Sequence, residues 1–184
     1  LGIKVPKTLN PSDNTGIFRP INLGNSLGVH RGYEANTKGL YQESIPGYEI
    51  TTPIVYNPLL KEMDILPTVV FQPISNDPAW YYGEKDKTAQ TGYKFCIINL
   101  EDSLKKKYID LVNTLSIQTF CRIDARIKCE NSQKLNSILE VGGLLDNTYF
   151  IEINVMPTIR DNNSFCYSFN KLTEDTPLYQ CIQL

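Results

Sequence analysis

The chain has 184 residues, 41% hydrophobic and 21% charged, with 18 Lys and Arg against 20 Asp and Glu. This is too apolar and too balanced in charge for a disordered chain, and the length suits one sizeable core or two small packed units. No run approaches the ~20 uninterrupted apolar residues of a membrane span, and a net charge of −2 offers no basic face for general nucleic-acid binding.

The start, LGIKVPKTLNPSDN, carries no signal-peptide core. Five cysteines stand at 96, 121, 129, 166 and 181 without a CxxC pair, beside a single His, His30. A Cys/His zinc site and a disulfide framework are both poor fits, so reduced thiols in a cytoplasmic protein are expected. His30, next to Arg31 after a Gly-containing loop, reads as a surface or loop residue rather than a catalytic base.

Residues 1–16 read as an irregular lead-in, followed by FRPINLGNSLGVHRG, a short apolar entry and a glycine-containing loop. YEITTPIVY (48–56) and DILPTVVF are rich in β-branched and aromatic residues and read as strands. Pro53 and Pro67 place them at an edge or a bulge. The polar segment 73–94 is too long for a connecting turn, and loops of that length are usually functional. Residues 101–116 form the one convincing helix. Leu104, Tyr108, Leu111, Val112 and Leu115 repeat at helical spacing, and Asn99 is the expected cap. In QTFCRIDARIKC, Cys121, Ile123, Ala125 and Ile127 alternate with Arg122, Asp124 and Arg126. NTYFIEINVMP is a further strand, with Phe150, Glu152 and Asn154 expected on one face and Ile151, Ile153 and Val155 on the other. Strands interleaved with a helix imply an α+β layered fold.

Glu152 and Asn154 share a strand face, and Asp124 holds a similar place on the preceding strand. If these strands pair antiparallel, two carboxylates and an amide oxygen converge, a donor set suited to Mg²⁺ shared with substrate phosphates. Arg122 beside them offers a forked hydrogen-bond donor for developing negative charge. Alternating polar residues on a half-solvated strand look the same without any catalytic role. GNSLG (24–28) reads by itself as an ordinary turn, and its small residues would also let backbone N–H groups approach phosphate oxygens.

The order FRPINLGNSLGV, YQESIPGYEI, TFCRIDARI, YFIEINVMP resembles the ATP-grasp ligases, and within them the D-alanine–D-alanine ligase group, over about residues 17–165. The resemblance implies antiparallel sheets with packed helices clasping ATP. Residues 1–47 would form a partial central subdomain with the phosphate loop and hinge, and 48–184 a C-terminal subdomain with the lid and metal-binding strands. It implies that Asp124, Glu152 and Asn154 hold two Mg²⁺ ions (Mn²⁺ being an alternative) and that Arg122 stabilises the tetrahedral intermediate. Arg19 stands where the family has a phosphate-binding lysine, and Gly24, Asn25, Ser26 and Gly28 match the loop over the phosphates. Gln42 and Glu43 fall at the adenine hinge, Ile45 at its backbone contact and Glu49 at the ribose-binding acid. Lys85, followed by Thr91 and Tyr93, has the spacing of the lid lysine, with Lys87 competing. Ser164 resembles, one residue out of step, the serine that meets the second substrate's carboxylate. Thr158 replaces the usual glycine after Pro157. The family's N-terminal domain has no counterpart, which fits a fragment, omitted stretches or a reduced relative.

The implied activity is ATP-dependent carboxylate–amine ligation through an acyl phosphate, most like D-Ala–D-Ala synthesis for the bacterial cell wall. Amino acids or small peptides would be the substrates, without nucleic acid or membrane, and a homodimer is allowed. Alternatives are another ATP-grasp amino-acid or peptide ligase, or a non-catalytic nucleotide-binding module.

Overall fold

The computed structural model describes residues 2–22, 26–75, 77, 79–81, 83, 92–129, 135, 143–159 and 163–172. Its first element is a small antiparallel sheet of β1 (Ile17–Pro20), β2 (His30–Arg31) and β3 (Gly39–Gln42), in the order β2-β1-β3. Phe18 and Tyr41 are buried in it, and the Phe18 ring lies 5.3 Å from His30, which sits on β2 with its side chain 40% exposed, a surface residue on a strand rather than in a loop. The glycine-containing turn joins β1 to β2, with Ser26 and Gly28 at positive φ.

The second sheet contains β4 (Gly47–Asn57), β5 (Glu62–Ile65), β6 (Thr68–Pro73), β7 (Tyr93–Ile98), β8 (Phe120–Lys128) and β9 (Thr148–Asn154). Its order is β7-β6-β4-β8-β9, with β5 also on β4 and every pairing antiparallel. β4 is central, so of the edge or bulge expected from its proline the edge is not what the structure shows. β6 pairs with Glu49–Thr51 and β5 with Ile54–Asn57, so Pro53 lies at the hand-over between two partners. Its carbonyl accepts from Leu66 N–H on that side, and the N–H it lacks would point into the same gap.

Helix α1 (Asp102–Thr114) lays Leu104, Tyr108 and Val112 on Ile50, Ile54, Cys121, Ile123, Ala125 and Ile127, as the two periodicities require. Its N-cap is Glu101 rather than Asn99, and Leu115 is exposed instead of joining the apolar stripe. The Glu101 carboxylate accepts from Gly143 N–H and Leu145 N–H, tying α1 to the short helix α2 (Leu144–Asn147) between β8 and β9. Partial burial works against ionisation there, but these hydrogen bonds outweigh it and hold the Glu101 carboxyl below its ordinary range.

Helix α3 (Ser164–Phe169), capped by Asn163, packs on the opposite face, with Tyr167 against Phe95 and Phe165 against Phe120. The lead-in is more ordered than expected. Lys4 bridges Tyr149 in parallel and Thr8 bridges Gln42, so this strap borders β9 and β3 and links the two sheets. None of the described helices is long and apolar enough to cross a membrane.

Candidate functional site

The face of the large sheet away from α1 carries three cross-strand rows. Pro53, Arg122 and Asn154 stand opposite one another; so do Thr51, Asp124 and Glu152; and so do Glu49, Arg126 and Tyr149. Partners in such rows have Cβ atoms about 4.5–5.5 Å apart. The rows hold despite a bulge in β9. Asp124 opposes Glu152 but Ala125 opposes Phe150, leaving Ile151 as the extra residue. Phe150 therefore packs with Ile153 toward the core, which corrects the expectation that it shares the face of Glu152 and Asn154.

Two carboxylates directly opposed would repel by several tenths of a kcal/mol or more. Arginines offset this. Arg122 donates Nε to Asp124 Oδ1 at 2.8 Å and Nη2 to Oδ2 at 2.6 Å, and Thr51 Oγ1 donates to Oδ1 at 2.8 Å. Burial favours a neutral Arg122, but the charge and hydrogen bonds of Asp124, reinforced by Glu152 and Glu49, prevail and raise its pKa. Arg19 reaches across from β1, its Nη2 at 2.5 Å from Glu152 Oε2. The first strand of the small sheet thus meets the last strand of the large one at this patch.

In the third row Arg126 is almost wholly buried. It donates to Ile45 O at 2.7 Å, to Gly47 O at 2.8 Å and to Trp80 O at 2.8 Å, while Nη1 lies 3.5 Å from Glu49. Burial lowers its pKa against the pull of Glu49, and Arg31 adds to the lowering. Arg31 itself donates to Ala79 O at 2.5 Å, so consecutive carbonyls are held by arginines from both sheets.

No family model matches the sequence, and no curated protein does. Solved structures do match. The ATP-grasp ligase PsnB, solved with a minimal precursor, aligns at TM-score 0.58 over 99% of this chain and 54% of its own, with 12% identity. D-alanine–D-alanine ligase from Bacillus anthracis, complexed with ATP, aligns at 0.58 over 92% of this chain and 56% of its own, with 18% identity. A RiPP-associated ATP-grasp ligase from Chryseobacterium gregarium, in complex with ADP and a leader and core peptide, aligns at 0.55 over 85% and 49%, with 16% identity. The chain has the ATP-grasp fold. It spans about half the length of these ligases.

Within that ATP-grasp frame the structure brings Arg19, Arg122, Asp124, Glu152 and Asn154 to one patch. Ile45 and Glu49 lie beside it, linked through Arg126. The side chains of Gln42 and Glu43 are engaged elsewhere: Gln42 donates to Pro6 O at 3.2 Å, and Glu43 accepts from Lys7 N–H at 2.9 Å. Ser164 is buried at the start of α3, and Ser26 lies in the β1–β2 turn. Gly24, Asn25, Lys85, Lys87 and Thr91 fall outside the described residues. Arg126, placed on this face by its alternation with Asp124, had no site role assigned from the sequence.

The donor set is compatible with Mg²⁺. Among the described residues no three His, Cys, Asp or Glu side chains form a metal cluster. Two carboxylates and an amide are nonetheless enough for an ion that takes one or two carboxylates and completes its shell with water and substrate phosphates. Asn154 Oδ1 accepts from Met156 N–H at 3.1 Å and keeps its second lone pair.

Proposed function

We propose that this chain is the nucleotide-binding and catalytic portion of an ATP-dependent carboxylate–amine ligase. The observation that carries the reading is the opposition of Asp124 and Glu152 across β8 and β9, with Arg122 and Arg19 on them, inside an ATP-grasp fold. Like charges face each other on a sheet at a cost to stability, which is understandable where a cation and polyphosphate are to be gripped.

ATP and Mg²⁺, the latter present in a complex of PsnB with ADP, would supply the phosphoryl group and the charge neutralisation. A substrate carboxylate oxygen bonds to the terminal phosphorus as the bond to ADP breaks. An amine nitrogen then bonds to the acyl carbon, phosphate leaves and the amine gives up a proton. Asp124, Glu152 and Asn154 would hold the cation. Arg122, its fork fixed by Asp124, would stabilise the oxyanion of the second step. Arg19, the 24–28 turn and the lysine at 85 would bind phosphates. Ile45 and Glu49 would meet the base and ribose, with Gln42 and Glu43 on the hinge, and Ser164 would serve the second substrate. Catalysis is then positioning and electrostatics, and no side-chain nucleophile is required.

Two substrate classes are compatible with this reading. One is a D-amino acid, giving a D-Ala–D-Ala-type dipeptide for cell-wall synthesis in the cytoplasm. The other is a peptide, favoured by the apolar rim beyond β9, where Val155, Met156 and Ile159 are exposed, and by the peptide complexes among the structural neighbours. ADP release from the full-length protein, measured across D- and L-amino acids and acidic peptides, separates them. Glu152→Gln is expected to abolish Mg²⁺-dependent turnover in a protein that still folds. Unchanged turnover would reduce the patch to a solvated strand face, and nucleotide binding without turnover on any carboxylate would make the chain a binding module.

A further inference from the structure

We infer that Arg19 is an exchangeable counter-ion, held by Glu152 until a polyphosphate claims it, so that a divalent cation enters with the nucleotide and not ahead of it. The inference rests on the ligase reading above and adds an order of binding to it.

The patch is electrically closed. Asp124 and Glu152 carry two negative charges, and Arg122 and Arg19 carry two positive ones in direct contact with them. Next to them Arg126 faces Glu49, again one against one. A free cation approaching such a set meets no net attraction, and two guanidiniums of its own sign stand beside the oxygens it must use.

The two arginines are not equally free to leave. Arg122 is forked onto Asp124 along one strand, and its side chain is 19% exposed. Arg19 comes from the other sheet, holds Glu152 through Nη2, and is 26% exposed against 47% for its partner. An ion pair this open is worth only about 0–1 kcal/mol. Arg19 also stands on β1, the strand that precedes Ser26 and Gly28 with their positive φ. Guanidinium geometry suits phosphate as well as carboxylate. When phosphate oxygens with their larger charge draw Arg19 away, Glu152 is left anionic, and the pair of opposed carboxylates acquires its cation affinity.

The test is Mn²⁺ binding followed by electron paramagnetic resonance on the full-length protein, with ADP binding by calorimetry in parallel. Without nucleotide, Arg19→Gln is expected to bind Mn²⁺ about tenfold more tightly than the parent, the effect of removing one neighbouring positive charge in a partly solvated site. The same variant should bind ADP several-fold more weakly at saturating Mg²⁺. The double variant Arg19→Gln/Glu152→Gln should lose the Mn²⁺ gain, which places the cation at Glu152. Equal Mn²⁺ affinity of Arg19→Gln and parent, in proteins that both bind ADP, overturns the inference and leaves the ligase reading intact. A gain that persists in the double variant overturns it too. Failure of the parent to bind ADP at any Mg²⁺ concentration removes the ligase reading and the inference together.

Discussion

Replacing Arg126 by Met keeps most of the side chain's length and removes its donors. Three main-chain carbonyls, Ile45 O, Gly47 O and Trp80 O, lose a charged donor at 2.7–2.8 Å, and Glu49 loses its cation at 3.5 Å. Hydrogen bonds to a charged group contribute about 1.5–3 kcal/mol each, but water replaces part of what is lost near Trp80. Glu49 loses one cation but still feels the charge of Arg122, so its share of the cost is small. Against these stands the desolvation that burying a guanidinium imposes, visible in its lowered pKa. The balance is a loss of about 3–5 kcal/mol, the range for breaking one side of a buried pair. Urea denaturation of parent and Arg126→Met measures it, and comparison with Arg126→Met/Glu49→Gln separates the share that comes through Glu49 from the share that comes through the three carbonyls. A loss below about 1 kcal/mol in the single variant would mean that these carbonyls are satisfied by water, and Arg126 would then not be what joins Ile45–Gly47 to Trp80.

Two further outcomes are expected. The Tyr108 hydroxyl is fully buried with no hydrogen-bond partner among the described residues, so Tyr108→Phe should stabilise the protein by about 1 kcal/mol, read as a rise of about 2–4 °C in Tm. Burial, with the charge of Asp124, pushes this phenol's pKa up; the folded state therefore loses stability as pH rises past the unfolded phenol's pKa near 10, a loss absent in the Phe variant, and a fall in Tm on substitution at pH 7 would show that the hydroxyl has a partner. Gly47→Ala should cost at least about 3 kcal/mol in the same denaturation assay, since φ is +127° and a Cβ would lie 2.1 Å from Ile127 O and 2.7 Å from Cys129 N, both backbone; a near-neutral Ala variant would mean that β4 can start elsewhere.

How far the sequence reaches depends on how local each signal is. Period-two alternation in FCRIDARIK and period-3.6 spacing in α1 are properties of single segments, and both survive in the structure. The opposition of Asp124 and Glu152 was legible for the same reason, because each strand shows its polar face by itself. What failed depends on partners. Pro53 signals a missing donor, but the sequence does not say that two strands meet there. Asn99 has the chemistry of a cap, yet Glu101 takes the position and spends its carboxylate on the distant Gly143 and Leu145 N–H groups. The lead-in lacked alternation altogether, and its order comes from the edges of β3 and β9 that it borders.

Ile151 shows why the site needs an irregular strand. With an unbroken register from Asp124–Glu152, Ala125 would oppose Ile151 and Arg126 would oppose Phe150, so the wholly apolar Phe150 would stand on the charged face in place of Tyr149 and would be lost from the core. The extra residue advances β9 by one, so Phe150 enters the core opposite Ala125 while Tyr149 stands across from Arg126. On the outer side of this edge strand Phe150 N–H bonds to Lys4 O at 2.8 Å and anchors the strap. Strict alternation would supply either the packed core or the charged row along the full length of β9, and the bulge supplies both by changing faces between Phe150 and Glu152. The position of the bulge, one residue before the carboxylate that faces Asp124, therefore belongs to the design of the site as much as to that of the sheet.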